Sequence, residues 1–406
     1  MRKPFLSLLI TLCFLCASLG ASAVEYAPSS VLSQGRWVKI RVAQTGIYKL
    51  TFAELQKMGF ANPAAVSVYG YGGWPLDEDF RQPYADDLPQ AAVYKGDNYL
   101  LFYGRGPVKW SYSTSLATFV HENNPYSSYG YYFLSDTSPV KTLAKETSVT
   151  GASLQVNTYD DYFVHEKDQV SVNKSGRELF GESFSLNTGQ TFPFAVPGIT
   201  DDPAKISFRF IAKPTTGQAL VILTAGTQPL LNASIPRSSI DDSYTKALEL
   251  SRTVSWNGAK TPDVQVGITY SRNTNDLAHL DYIRLHAVRT LKMYGPYTFF
   301  RSIASVGNVT HFVLQEASAN VKIWDVTNPV LPVEMETTLN GTECSFTIPA
   351  SNTLREFVAV DISKTLPAPE TVGVVSNQNL HALEQTDMVI LTHPVFMELA
   401  ERLAAL

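Results

Sequence analysis

Cysteine is almost missing: three occur in 406 residues, and Cys13 and Cys16 both lie in the apolar N-terminal segment. Once that segment is removed only Cys344 is left, so no intrachain disulfide forms and the domains must be held by their cores. Charge is also sparse. Asp, Glu, Lys and Arg supply 17% of the residues, and without Arg2 and Lys3 there are 30 basic side chains against 37 acidic ones, a net of −7. Nothing in that balance recommends nucleic acid as a partner. Beyond the N-terminal segment no run approaches the about twenty apolar residues of a membrane helix. The seven histidines, at 121, 165, 279, 286, 311, 381 and 393, contain no i, i+4 pair on a helical stretch and have no cysteine cluster beside them, which leaves zinc without support. There is no Gly-x-Ser-x-Gly elbow, which disfavours an α/β-hydrolase, and no heptad, solenoid repeat or low-complexity tract.

What is present is a folding composition, 45% apolar, and a length that suggests roughly two to three domains. Arg2 and Lys3, the apolar stretch from Phe5 to Leu19 and the small residues Ala21-Ser22-Ala23 form a signal peptide over residues 1–23, so export is expected.

The chain then reads as mainly β. Val38, Ile40 and Val42 alternate with Lys39 and Arg41; Gln44-Thr45-Gly46 turns the chain and Ile47 to Leu50 returns it. Thr51 and Glu54 form a capping box for a short helix that Gly59 ends. Val66 to Tyr69 and Asn98 to Tyr103 are further strands, and the polar stretch 141–153 closes an N-terminal β-rich domain, residues 24–153. Short strands separated by turn signals, such as Ile206 to Phe210 and Leu220 to Leu223, predict an antiparallel β-sandwich over 154–289. A small Ig-like β domain is expected over 290–365, with strands at 310–314, 321–324, 344–348 and 356–360. Leu366-Pro367-Ala368-Pro369 reads as a stiff linker opening a segment 366–406. In it the unbroken apolar run Met388 to Leu391 predicts a buried strand, and Phe396, Leu399, Ala400 and Leu403 a helix. That is the start of an α/β domain; the sequence stops in mid-helix and is expected to be the front part of a longer protein.

No catalytic or cofactor-binding residue can be assigned. The acidic clusters Asp77-Glu78-Asp79 and Asp86-Asp87 are of the kind that ligates calcium or supplies paired carboxylates, against a solvated loop rich in turn formers. Gly70-Tyr71-Gly72-Gly73 lacks a Walker lysine and reads as a tight turn. The aromatic stretch Trp110 to Phe133 offers rings for sugars or for packing. Cys344 alternates with Phe346 and Ile348, as a buried structural thiol would. His393 follows the apolar run, where open α/β sheets bind ligands.

Several segments in order resemble the N-terminal region of the PorU-like family, gingipain-related sortases of the type IX secretion system. They are 36–40 with 45–50, Val68 to Gly73, Asn124 to Tyr132, Ser175 to Glu182, Leu280 to Ile283, Ile323 to Thr327 and Asn377 to His381. The resemblance implies β-rich domains followed by a caspase-like cysteine peptidase domain whose His and Cys lie beyond this sequence, so that this chain alone would be inactive. It implies three partners: cargo with C-terminal sorting domains, outer-membrane secretion proteins and anionic lipopolysaccharide. It also implies a place at the cell surface or outer membrane. The alternative is a non-catalytic surface β-sandwich protein that binds glycans or proteins.

Overall fold

The computed structural model describes residues 26–406 except 80, 82–85, 175, 177, 242–243 and 273–275, so the expected signal peptide lies outside the described residues. The described chain falls into two units, one comprising residues 36–80 with 89–375, the other residues up to 35 with 81–88 and 376–406.

The larger unit is built of β-sheets, as expected, and the strands read from the sequence form where they are expected. Trp37–Val42, Ser67–Gly72 and Gly130–Ser135 belong to a five-stranded antiparallel sheet. A second sheet contains Gly46–Thr51, Tyr99–Gly104 and Tyr94–Lys95. Val38, Ile40 and Val42 from the first and Tyr48, Leu50, Leu100 and Phe102 from the second share one core, joined by Leu55 of the helix Phe52–Lys57. Both arms of the Thr51–Glu54 capping box are formed. One expectation fails: Gly46–Thr51 does not return along Trp37–Val42 but pairs with Tyr99–Gly104. Residues 43–45 therefore cross between sheets, because Ile47 and Leu50 find apolar cover in the second sheet that a flat hairpin would not provide.

The central sandwich packs the sheet ordered Thr158–Glu166, Ala278–Thr290, Ala204–Ala212, Leu248–Trp256 with the sheet ordered Gly189–Ala195, Asp263–Ser271, Ala219–Ala225, Gln228–Ile235. Their inward residues, among them Phe208, Phe210, Val221, Leu223, Val266, Ile268 and Leu285, are all fully buried. Each such side chain contributes about 1.5–3 kcal/mol relative to exposure.

The third module stands on both sides of the sandwich in sequence. Ala144–Glu146 runs parallel to Val333–Met335, and Leu154–Val156 runs parallel to Thr310–Leu314, so the chain enters this module before it builds the sandwich. The boundaries drawn at 153/154 and 289/290 cut across these pairings. The signal was too short to see, since each entering strand has three residues and parallel pairing carries no turn signature. Likewise Leu366 to Pro369 is not a free linker. Leu366 is buried, Pro367 accepts from the Lys49 amide (2.8 Å), and Glu370–Val375 pairs antiparallel with Trp37–Val42 as an edge of the first sheet. The prolines stay out of the ladder; the residues after them join it.

In the smaller unit, Asn379 Oδ1 accepts from the Ser30 amide (2.8 Å), and Asn377 Nδ2 donates to the Leu32 carbonyl (3.0 Å). The helix forms over Met397–Ala404 after a 3-10 turn that Pro394 opens. The strand expected at 388–391 does not form. A doubly buried strand needs neighbours on both edges; among the described residues none pairs with this run, and Val389 and Leu391 are 80% and 98% exposed.

Candidate functional site

The three β modules of the larger unit meet around one buried cation. Arg301 follows the strand Tyr297–Phe300 and is 1% exposed. Its Nε donates to Glu356 (2.7 Å), its Nη1 donates to the Asp160 carbonyl (3.1 Å) and lies 3.5 Å from Asp161. Burial would depress its pKa, but Glu356, Tyr162 and Asp161 outweigh that and raise it. The guanidinium lies 4.4 Å from the centre of the Tyr162 ring, and the Tyr162 ring stacks on Trp110 at 4.2 Å and 18°. Burial pushes the Tyr162 hydroxyl well up, so it stays protonated. Asp161 is held a second time by Arg289 (2.5 Å).

In front of this network opens a cleft of about 330 Å³. Thr45, Trp74, Tyr103 and Trp110 line it from the N-terminal module, Asp161 and Tyr162 from the sandwich, and Arg301, Val326, Thr327 and Glu356 from the third module. The glycine-rich turn shapes its rim. A Cβ on Gly73 would stand 2.7 Å from the Gly106 backbone, so two loops touch there without side chains and Trp74 is thrown into the opening. Arg105 covers one face of Trp74 at 4.4 Å. The indole Nε1 of Trp74 is sealed from solvent and has no hydrogen-bond partner.

A second cavity, of about 460 Å³, gathers Glu166, Asp168, Glu178 and Asp281 with Arg209, Asn124 and Tyr126. Arg209 bridges Glu178 (2.7 Å), Asp281 (2.9 Å) and Glu249 (2.9 Å). Burial raises the Asp281 carboxyl pKa, partly offset by its bond from Arg209.

The residues singled out by sequence go elsewhere. Asp77 caps the amide of Asp79 (2.9 Å). In the smaller unit Asp86 accepts from the Ala27 amide, and Asp87 accepts from the Val31 amide (2.6 Å) and from Ser30 (3.1 Å). These carboxylates clip the chain to itself. Among the described residues no group of three or more His, Cys, Asp or Glu is placed to hold a metal ion. His393 Nδ1 accepts from the Val395 amide (3.2 Å) and caps the 3-10 turn. His121 lies between Glu166 and Arg284, each at 2.5 Å. Of the aromatic stretch, Phe119 and Tyr132 are core, Tyr129 and Tyr131 carry Arg41 and Lys39 on their faces, and Trp110 alone lines the first cleft. Cys344 is buried beside Phe346, and burial pushes its thiol pKa up. A thiol reagent at neutral pH should therefore leave the native chain unlabelled and titrate Cys344 only across the unfolding transition; rapid labelling without denaturant would contradict its placement.

No family model matches the chain, and no curated protein matches it. Among solved structures it is similar to dimeric latent PorU from Porphyromonas gingivalis, with a TM-score of 0.85 and 30% identity over 93% of this chain. The chain is PorU-like. It spans 36% of the length of that relative. Other likenesses are remote. A C-terminal carbohydrate-binding module of a laminarinase from Zobellia galactanivorans matches 24% of this chain and 70% of its own, at 16% identity and a TM-score of 0.17. The Cry8Ea1 δ-endotoxin from Bacillus thuringiensis matches 55% and 42%, at 9% and 0.23. Neither carries functional weight. Among the described residues no helix is long and apolar enough to cross a membrane.

Proposed function

We propose that this chain is the N-terminal accessory region of an exported gingipain-like cysteine endopeptidase and sortase, one that processes the C-terminal sorting domains of type IX secretion cargo at the cell surface. The observation that supports this reading is the likeness to PorU over 93% of this chain and 36% of that one. In this reading a thiolate outside the present sequence attacks the peptide bond before the sorting domain, releases that domain with a protonated amine, and passes the acyl group to water or to an amine of anionic lipopolysaccharide. The β modules dock and orient cargo and face the outer-membrane secretion proteins. Cys344 takes no part, since it is buried with a raised pKa.

The test uses a cargo protein that still carries its sorting domain. The purified chain should bind it saturably and leave it intact, and removing residues 24–375 in frame from the chromosomal gene should leave sorting domains attached to cargo in the cell. Cleavage by the purified chain, or normal cargo processing after the deletion, would overturn the proposal.

A further inference from the structure

We infer that the cleft in front of Arg301 binds one unit of a neutral saccharide. The inference stands on the cleft alone and does not need the sortase reading.

Charge is the first argument. Arg301 is already paired with Glu356 and Asp161, and Asp161 is paired again with Arg289. Arg105, the further cation beside the cleft, lies against Trp74 and donates to the Tyr71 carbonyl; a charged ligand would lose its hydration and find no charge directed into the cleft, so the cleft selects an uncharged one. Hydrogen bonding is the second. Trp74 Nε1 is sealed and unpartnered, a state that costs about 1–3 kcal/mol and that a ligand oxygen relieves once the indole turns its N–H edge into the opening. The ligand must bring an oxygen. Elsewhere in the lining, Thr45 Oγ1 accepts from the Gly106 amide (3.1 Å) and Thr327 Oγ1 accepts from the Glu356 amide (2.9 Å), so both hydroxyls keep a proton to donate. Asp161 and Glu356 retain acceptor capacity beyond their arginine bonds.

Shape is the third. Trp110 is covered on one side by Tyr162 and Trp74 by Arg105, yet both indoles remain half-exposed where they line the opening. Flat aromatic faces with hydroxyls and carboxylates around them match a pyranose, which has an apolar C–H face and a hydroxyl edge. The volume, about 330 Å³, lies at the small end of the about 300–1,000 Å³ of small-ligand sites. A single sugar ring fits better than a folded segment.

The experiment titrates the purified chain with neutral trisaccharides of gluco, manno and galacto configuration, reading tryptophan fluorescence and heat. At least one should saturate a single site with Kd on the order of 1 mM. Trp74→Phe keeps the ring and removes the donor, and should weaken binding about tenfold; Trp110→Ala should abolish it. Arg209→Ala, in the other cavity, should leave the affinity unchanged. Trigalacturonate should bind at least about tenfold more weakly than its neutral counterpart. Thermal melts check each variant, and if Trp110→Ala fails to fold, Trp74→Phe and Thr327→Val decide. The inference is overturned if no neutral saccharide binds, if Trp74→Phe binds as tightly as the parent, or if a short neutral tryptophan–proline peptide saturates the cleft while every sugar fails.

Discussion

Replacing Arg301 by methionine should lower the unfolding free energy by about 3 kcal/mol or more, the cost of leaving buried carboxylates without their cation. Methionine fills much of the same channel, so the loss is electrostatic rather than a cavity. The value sits toward the lower end of the about 3–5 kcal/mol seen for broken buried pairs for two reasons. Asp161 retains Arg289 at 2.5 Å, and the Glu356 side chain is 31% exposed, so water can reach it. The double variant Arg301→Met with Glu356→Gln removes the stranded charge and should recover part of the loss. Arg301→Lys should fall between, because an ammonium cannot fork between Glu356 and the Asp160 carbonyl. Urea transitions followed by near-ultraviolet circular dichroism give these differences. A single variant within about 1 kcal/mol of the parent would mean that the cation does not organise the junction.

The second large effect belongs to Phe346. Its ring stacks on Phe312 at 5.2 Å and 11°, meets Phe357 edge-on at 5.2 Å and lies 6.2 Å from Phe300. These rings come from strands of both sheets of the third module, so the cluster is the contact between them. Phe346→Ala should cost about 3–5 kcal/mol through lost burial and the cavity left behind, whereas Phe346→Leu should cost less than about 2 kcal/mol. Equal losses for both variants in the same urea experiment would show that ring stacking, not volume, holds the sheets together.

Phe346 also marks how far the sequence could be read. Its alternation with Cys344 and Ile348 predicts one buried face, and all are buried. The same period located strands of the sandwich such as Ala204–Ala212 and Ala219–Ala225, and the Thr51–Glu54 pair located the short helix, because these signals are local properties. Sheet order is not. Nothing near Leu154–Val156 announces that it runs beside Thr310–Leu314, some 150 residues on. The apolar run at Met388 to Leu391 misled because apolarity records a preference for burial, while a strand exists only with a partner.

The cleft was invisible for a related reason. Thr45, Trp74, Trp110, Asp161, Arg301 and Glu356 share no motif and come together only through topology. One local clue existed: Asp160-Asp161 interrupts the aromatic run Tyr159 to Phe163, and Arg301 follows Phe299-Phe300. A charge set within residues that will be buried must find a counter-charge, and pairing those two exceptions would have pointed to the junction.

The edge strand Glu370–Val375 carries a consequence for the order in which the protein takes shape. It lies beside Trp37–Val42, more than 300 residues earlier. During synthesis the first sheet must therefore wait, with one backbone edge bare, until the chain has emerged as far as Val375. An unprotected edge that long-lived invites pairing with other chains. For the same reason the rate of complete folding should be set by the search that brings these distant segments together, not by the sandwich, whose most distant partners, Thr158 and Thr290, are 132 residues apart.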